Sequence, residues 1–418
     1  MANYSRKLIA DGVGYSTIID PKFKSSRIKV MFITDLTAET AAANALALSI
    51  MGSSNSRYKN ISEITSKLNS LYGASINIEI LKQGDIQRLS LSVCSIDNRY
   101  ALEGEDISSE VLSILQDCIF SPNAQNGEFA KEPFDFGKKD LLDSIESEIN
   151  NKRGYAILQT QKRAFAGENS ENSPYGTKES AKSVTSKQTY EAYKELLRTA
   201  RVEIYYVGPE ESDTVEKKLA ECFKAIDRDV KEYKFIVPSP AKDEVMRAEE
   251  KLDVKQCKMV MAFKTSSKDD YALRFMNTIF GATPFSKLFM NVREKLSLCY
   301  YCASNYSGIK STFFVDSGVE EENIEKAESE ILNQLEEIKK GNFSDEDMAN
   351  SLLSIENSLK GVGDTTGSYI NWYYGCLTYG EILTPEEKAE LYRKVTKERI
   401  IEAAKSLKLD TVYVMKGE

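Results

Sequence analysis

Histidine is absent from all 418 positions of the sequence. This absence excludes Ser-His-Asp and Cys-His nucleophilic sites, and every zinc or iron site that depends on histidine ligands. Acid–base chemistry would have to rely on carboxylates, lysine or tyrosine. The composition fits either simple drift or the loss of a histidine-based site, and by itself it does not distinguish the two.

Other missing features narrow the class of protein further. No apolar run approaches the ~18 residues of a membrane span, and no apolar segment precedes Asp11, so we expect neither a membrane partner nor a signal peptide. Seven cysteines, an odd number spread along the chain, are typical of a reduced cytoplasmic protein. The net charge is −9 and no basic stripe is present, so nucleic-acid binding is not expected.

The hydrophobic pattern predicts two successive sets of strands and long helices. In the first half the predicted strands are Arg27–Thr34, Ser75–Leu81, Arg88–Cys94 and Val202–Val207, and the helices are Ala38–Ile50, Ile61–Leu71, Ile107–Ile119, Gly137 to about Ala164, and Asp213–Ile226. In the second half the strands are Lys258–Lys264, Leu298–Asn305, Thr312–Val319 and Thr411–Met415, and the helices include Asp270–Phe280, Phe285–Lys295, Glu322–Lys340 and Asp345–Leu359. Because strands and helices are segregated in each half, the pattern favours an α+β fold in which helices cover a mostly antiparallel sheet.

Two segments of the second half repeat segments of the first. Lys67–Tyr72 matches Lys295–Tyr300, and Ile50–Gly52 matches Ile279–Gly281 at nearly the same offset. A shared offset favours a tandem duplication, although two amphipathic segments can also be alike by chance. The duplication predicts that the two halves have one fold and that Tyr72 and Tyr300 occupy equivalent strand positions.

A charged stretch separates the two halves. Asp227–Glu250 is rich in Lys, Asp and Glu, contains Pro238 and Pro240, and lacks apolar periodicity. We therefore predict two tandem homologous α/β sandwich domains and a linker, with the boundaries 1–227, 228–249 and 250–418.

Cys299-Tyr300-Tyr301-Cys302 has the C-x-x-C spacing of redox and zinc sites. The surrounding residues predict a strand, in which positions i and i+3 point to opposite faces. No second cysteine pair and no histidine completes a ligand set. The pattern therefore favours two core cysteines over a redox or metal site.

The segment before these cysteines resembles a known family. It reads Ser286-Lys287-Leu288-Phe289-Met290-Asn291-Val292-Arg293-Glu294-Lys295, followed by Leu298 and Tyr300. This is similar to the second-domain signature of the insulinase/pitrilysin zinc peptidases, in their mitochondrial-processing-peptidase-like bacterial branch, roughly S-x-L-F-x-x-[LV]-R-E-K-x-x-L-x-Y. Pro174-Tyr175-Gly176, Val207-Gly208 and Ser317-Gly318-Val319 are further matches, so the resemblance spans nearly the whole chain.

The resemblance implies that a zinc site has been lost. Active members of the family bind zinc through H-x-x-E-H on the first long helix and through a more distal glutamate. The positions that match the motif here are Ala43, Leu46 and Ala47, which have no atoms to coordinate a metal or accept a proton. Glu146 and Glu148 lie near the distal ligand's place in the sequence. We expect no metal and no other cofactor in this chain, and no catalytic residue that works without a partner.

Arg293 and Tyr300 match family residues that act on the bound peptide. The resemblance implies that Arg293 holds a peptide carbonyl and that Tyr300 donates to the oxyanion formed on attack. Without the resemblance, Arg293 would be interpreted as a surface salt bridge and Tyr300 as a half-buried strand aromatic. Either one helix carries both residues on one face, or the helix ends near Lys295 and Tyr300 lies on the next strand.

These observations predict the non-catalytic subunit of a heterodimeric zinc metallopeptidase, one half of a clam shell. The expected partners are a homologous subunit that carries H-x-x-E-H and its zinc, and a peptide substrate. An alternative is a peptide-binding or scaffold protein of the same fold that works without a peptidase and holds a peptide by edge-strand addition. A third and weaker hypothesis is an enzyme that uses carboxylates in unrelated chemistry.

Overall fold

The computed structural model describes residues 2–417, and internal contacts divide them into two compact units. The first unit comprises the chain up to Glu146, together with Asn172–Lys234 and Gly363–Tyr374. The second comprises Ser147–Glu171, Phe235–Val362 and the chain from Gly375 onward. The predicted domains 1–227 and 250–418 are continuous, whereas the first unit includes the late segment Gly363–Tyr374 and the second includes the early segment Ser147–Glu171.

The secondary structure consists of strands and helices that occur in both units. The strands are β1 (Asn3–Ala10), β2 (Val13–Ile19), β3 (Ser25–Asp35), β4 (Ser75–Gln83), β5 (Ile86–Ile96), β6 (Ala124–Gln125), β7 (Glu128–Phe129), β8 (Arg201–Gly208), β9 (Met246–Lys251), β10 (Cys257–Thr265), β11 (Cys299–Ser307), β12 (Thr312–Val319) and β13 (Leu407–Lys416). The α-helices are α1 (Ala41–Ser53), α2 (Ile61–Ser70), α3 (Ile107–Phe120), α4 (Lys131–Ser147), α5 (Lys152–Ala164), α6 (Lys178–Ser183), α7 (Ser186–Thr199), α8 (Asp213–Lys224), α9 (Asp270–Asn277), α10 (Ile324–Lys339), α11 (Asp345–Lys360), α12 (Thr366–Tyr379), α13 (Pro385–Arg393) and α14 (Lys397–Lys405). Thr278–Ala282 and Leu288–Lys295 are π-helical.

The two large sheets share one topology. The first has the order β1-β2-β8-β3-β5-β4, and the second has the order β11-β12-β10-β13-β9. Read from the opposite end, the second sheet reproduces the first without β1. Each sheet has one parallel pair, β2 with β8 in the first and β9 with β13 in the second, and the two pairs occupy matching positions in the strand order. All other neighbouring strands are antiparallel. The prediction of two tandem homologous domains with mostly antiparallel sheets is confirmed.

Each sheet packs one face against the helices of its main core, and the second sheet also packs its other face against α5. The core of the first unit joins residues of β3, β5 and β8 to α1, α3 and α7. The core of the second unit joins β10, β12 and β13 to α9, α10 and α14. In the described residues, no helix is both long enough and apolar enough to cross a membrane.

The predicted long helix from Gly137 to Ala164 is two helices. It is interrupted between Ser147 and Lys152, where the Asn151 side chain caps α5 by accepting a hydrogen bond from the Gly154 amide. The break separates α4, which belongs to the first unit, from α5, which packs Ala156 against Val260 and Tyr413 in the second.

The charged stretch 228–249 contains ordered structure. The Val237 and Ser239 amides donate to the carbonyls of Ile309 and Lys310, and Lys242 pairs with Asp410. Its last residues begin β9, which pairs with β13 in parallel. β9 lacks a local signal because its sequence, MRAEEK, is mostly charged and the strand lies at the sheet edge.

Candidate functional site

Helix α1 carries the positions where a zinc motif is expected. Leu46 and Ala47 are fully buried in the core of the first unit, and Ala43 is half-buried beside a surface groove of about 590 Å³. Most of this alanine-rich helix is buried, including Ala45, Leu48 and Ile50. No polar side chain projects from the three motif positions, so this face of α1 is a packing surface.

Helix α4 packs against α1 through a glycine. A Cβ atom placed on Gly137 would lie 3.0 Å from Leu46 Cδ1 and 3.5 Å from Ile50 Cγ1, so the two helices are in close contact there. Glu146 lies nine positions later on α4, about 13 Å along its axis, and it forms an ion pair with Lys178 at 2.6 Å. Gly137 is therefore the α4 residue beside Leu46, and the expectation that Glu146 and Glu148 lie near the distal ligand's place stays a prediction.

A buried amide pair, missed by the sequence analysis, fixes the start of α1. Asn44 Nδ2 donates to Gln87 Oε1 at 3.0 Å, and Gln87 Nε2 donates to the carbonyls of Ala41 and Pro174 at 3.0 and 2.6 Å. The pair therefore ties α1 to β5 and to the turn that ends at Gly176. These side-chain groups are already used in bonds within the protein, and they add no metal ligand.

The residues around α1 do not fit a zinc ion. Ala43, Leu46, Ala47 and Gly137 supply no nitrogen, sulfur or carboxylate oxygen from their side chains. Across residues 2–417, no cluster of three or more histidine, cysteine, aspartate or glutamate side chains could hold a metal.

Arg293 and Tyr300 line one pocket in the second unit. The π-helix Leu288–Lys295 presents Arg293 near its end, Ser297 turns the chain with a φ of 52°, and Tyr300 follows on β11. Of the two geometries that the sequence allowed, the structure has the helix ending at Lys295. The pocket has a volume of about 400 Å³ and is also lined by Glu294, Cys299, Glu320 and Asn323.

A β-bulge projects Tyr300 out of the sheet. Cys299 pairs with Val319 and Tyr301 pairs with Gly318, so Tyr300 is an extra residue between two consecutive register positions. Its side chain is 60% exposed, and its hydroxyl donates to Glu320 Oε1 at 2.8 Å. This hydrogen bond to a carboxylate raises the pKa of Tyr300 and keeps the phenol protonated at neutral pH.

The Arg293 guanidinium is held from two sides. Its Nη1 lies 3.3 Å from Glu294 Oε1, and its Cζ lies 4.5 Å from the centre of the Phe289 ring. The side chain remains 38% exposed, so its other N–H groups can reach the pocket. Arg293 and Tyr300 are therefore both accessible to a ligand in the pocket, while Leu46 and Ala47 are sealed in the core of the first unit.

The bulge also changes which faces of β11 the two cysteines occupy. Cys299 and Cys302 both face the core of the second unit, with exposures of 9% and 3%. Their placement on opposite faces is wrong because the extra residue at Tyr300 shifts the side-chain alternation by one position. The prediction that both are core cysteines is confirmed.

Tyr72, the tyrosine of the first repeated segment, differs from Tyr300 in its backbone position. It precedes β4 in a left-handed conformation with a φ of 57°, and it donates to Glu105 Oε1 at 2.8 Å. The predicted strand equivalence of Tyr72 and Tyr300 is therefore wrong, although the sheets around them share one topology.

Comparison with known proteins agrees with this picture. Residues 183–353 match the family described as "Peptidase M16 inactive domain". The chain is 28% identical over 408 residues to the "Probable inactive metalloprotease YmfF" of Bacillus subtilis (strain 168), covering 95% of this chain and 94% of that protein.

Solved structures share the whole fold. A conserved protein from Enterococcus faecalis V583 is 28% identical, superposes with a TM-score of 0.91, and is matched over 100% of this chain and 99% of that one. A peptidase M16 inactive domain from Pseudomonas fluorescens, at 16% identity, superposes with a TM-score of 0.81 over 99% of this chain and 97% of its own. Residues 183–353 thus match a peptidase M16 inactive domain, and packing residues take up the expected zinc-motif positions, which agrees with the resemblance of the sequence to a peptidase homologue that lacks the zinc motif.

Proposed function

We propose that the chain is the cytoplasmic, non-catalytic subunit of a heterodimeric zinc peptidase. In this proposal a homologous chain that carries H-x-x-E-H supplies the zinc, and this chain supplies Arg293 and Tyr300 to the peptide. The observation that carries the proposal is the pocket that these two exposed side chains share. Their exposure contrasts with α1, where the motif positions have been replaced by apolar packing residues.

The two side chains have the chemistry that the role requires. The Tyr300 phenol is a hydrogen-bond donor at neutral pH, and it can transfer its hydrogen bond from Glu320 to a peptide oxygen as negative charge develops there. Arg293 is permanently charged and can hold a peptide carbonyl through two N–H groups. Tyr300 would therefore act mainly in the transition state, and Arg293 already in the bound complex.

The Tyr300→Phe variant tests the first role in the complex with an H-x-x-E-H homologue. Loss of an oxyanion donor should lower kcat by about 10- to 1,000-fold while the subunits still associate. Tyr72→Phe is the matched control, because Tyr72 is another tyrosine that donates to a glutamate at 2.8 Å. Turnover at the parental rate in the Tyr300→Phe complex would contradict the proposed role of the phenol.

The Arg293→Ala variant tests the second role. A positioning contact made before the transition state should raise KM, and it should lower kcat/KM more than kcat. Arg393→Ala is the control, because Arg393 is another partly exposed arginine that pairs with glutamates on the surface. Equal kinetics for the Arg293→Ala and Arg393→Ala complexes would contradict peptide contact by Arg293.

A peptide-binding scaffold is the second candidate. The outer strands favour it, because β4 and β11 end their sheets and can accept an added strand. In that case labelled peptides should bind the chain alone, and Tyr300→Phe should leave their affinity unchanged. Purification of the chain from its native cells with no H-x-x-E-H homologue bound would favour the scaffold over the peptidase subunit.

A further inference from the structure

The bulge at Tyr300 brings two cysteines close together along one strand. Three residues of a regular strand span about 10 Å. Cys299 pairs with Val319 and Cys302 lies opposite Ser317, so the two cysteines match positions only two residues apart on β12. Their α-carbons are therefore about 7 Å apart, just beyond the range of roughly 4.4–6.8 Å that a disulfide usually has. A disulfide between them would therefore require the bulge to contract slightly.

The two thiols already interact, and they differ in character. The hydrogen bond from Cys302, helped by the nearby Arg293 charge, lowers the pKa of Cys299. The same hydrogen bond and deep burial raise the pKa of Cys302 well above its usual value. Cys299 lines the Arg293–Tyr300 pocket, whereas Cys302 lies deeper in the core. Cys299 is 9% exposed at the wall of the pocket and Cys302 is 3% exposed, so Cys299 is the thiol that a ligand in the pocket meets first, with Cys302 as the resolving thiol behind it.

We propose that Cys299 and Cys302 are a redox-active dithiol, oxidised to an intramolecular disulfide by small disulfides of the glutathione class that enter the pocket. The Cys299 thiolate attacks one sulfur of the small disulfide, and the first small thiol leaves with the proton from Cys299. Cys302 then attacks the mixed disulfide at Cys299, and its proton goes to the second small thiol. Two protein thiols are oxidised by two electrons, and one small disulfide is reduced to two thiols.

No other pairing competes at this site. Cys257 also lies opposite Val319, but on the far side of β12 from Cys299. Two inter-strand spacings separate Cys257 from Cys299, about 9.6 Å, which is beyond disulfide reach.

Oxidation would act on the pocket through Tyr300. The phenol is carried by the bulged residue, so contraction of the bulge reorients it relative to Glu320. This consequence rests on the proposed function, because only a role for Tyr300 in peptide turnover makes the oxidised form less active. The dithiol chemistry itself does not depend on that role.

The thiol chemistry can be tested on the full chain alone. The folded protein is incubated with oxidised glutathione, the remaining thiols are alkylated, and the tryptic peptide Leu296–Lys310, which carries both cysteines, is weighed. We expect this peptide to lose two hydrogens and to escape alkylation, and we expect dithiothreitol to reverse both changes. Cys257→Ala is the matched control and should behave like the parent. A peptide that stays reduced, and is alkylated at both positions after unfolding, would overturn the proposal.

Variants of each thiol separate the two steps. Cys302→Ala should accumulate glutathione on Cys299, because the resolving thiol is missing, and Cys302→Ser checks the result if the alanine variant folds poorly. Cys299→Ala should acquire neither an adduct nor a disulfide in this peptide. Adduct on Cys302 in the Cys299→Ala variant, or none on Cys299 in both Cys302 variants, would overturn the assignment of nucleophile and resolving thiol.

A last measurement separates this proposal from the peptidase role. Oxidation of the paired complex should lower peptide turnover toward that of the Tyr300→Phe complex and should have no further effect on that variant. If the disulfide forms and turnover is unchanged, the link to Tyr300 is wrong while the dithiol stands. If the disulfide does not form and Tyr300→Phe still lowers turnover, the dithiol fails and the peptidase role stands.

Discussion

Replacement of Leu46 by alanine tests whether packing has taken the place of a zinc site. Leu46 stands where the resemblance places the motif glutamate, and it is fully buried. Its Cδ1 atom contacts α4 at Gly137, where an added Cβ atom would lie 3.0 Å away. If this face of α1 contributes only packing, its removal should lower stability by the full cost of a core cavity. A remnant of a polar site would already be loosely packed and would lose much less.

The magnitude follows from this contact. A buried leucine replaced by alanine costs about 2.7–5.0 kcal/mol of unfolding free energy, and the close helix contact favours a value near the middle. Gly137→Ala alone should be nearly neutral, because about 1 kcal/mol of helix propensity is offset by the clash with Leu46 Cδ1. In the Leu46→Ala background the clash disappears, so Gly137→Ala should then stabilise by roughly 1 kcal/mol.

Urea unfolding followed by tryptophan fluorescence measures these values. Trp372 is the only tryptophan, and it belongs to the first unit, so its signal follows the unit that contains Leu46. Leu102→Ala is the matched control, because Leu102 is 87% exposed in the same unit and its loss should cost less than about 0.5 kcal/mol. A cost below about 1 kcal/mol for Leu46→Ala, or an equal effect of Gly137→Ala in both backgrounds, would refute the reasoning.

Two further predictions concern metal and pH. Purified chain should hold no stoichiometric zinc by elemental analysis and should not cleave unfolded peptides alone; one tightly bound zinc per chain would contradict this, with Cys299 and Cys302 the first ligands to examine. Burial lowers the pKa of Lys264 to about 8, despite the nearby carboxylates of Asp410 and Glu168. The folded state therefore binds fewer protons than the unfolded chain between that pH and 10.5, the usual lysine value, and stability should rise with pH across this interval. Lys264→Met should remove that rise in thermal unfolding followed by circular dichroism, and parallel pH curves for parent and variant would count against it.

Most of the regular structure could be predicted from local periodicity. The predicted strands Arg27–Thr34 and Arg88–Cys94 fall within β3 and β5, and the predicted helix Ile107–Ile119 falls within α3. The apolar residues of β5 alternate with polar ones and those of α3 recur at helical spacing, which are the patterns that local periodicity detects. The repeated strand order also follows from the duplication that two short matches indicated.

Elements that depend on a distant partner could not be predicted. β2 precedes the first predicted strand, and β9 was assigned to the linker. β2 and β9 acquire their conformation by parallel pairing with β8 and β13, strands that are far away in the sequence. No local pattern carries that information, because the stabilising hydrogen bonds come from the neighbouring strand.

Some features of the candidate site could likewise be predicted from the sequence, and others could not. The residue types of Arg293 and Tyr300 pointed to peptide contact, but two backbone geometries remained open until the helix was seen to end at Lys295. Asn44 and Gln87 were missed because buried amides have no sequence signature that separates them from exposed ones. Their pairing at 3.0 Å is visible only once α1 lies against β5.

The sequence by itself determined that this chain lacks the histidine ligands of the zinc motif in the family that it resembles. A metal needs ligand atoms with lone pairs, and no fold can supply them where Ala43, Leu46 and Ala47 stand in a chain without histidine. Only the tertiary structure decided which side chains meet in the second unit. The extra residue at Tyr300 projects the phenol into the pocket and turns both cysteines to the core, and it is defined by the register between β11 and β12. Register is a property of two paired strands, so a single stretch of sequence does not specify it.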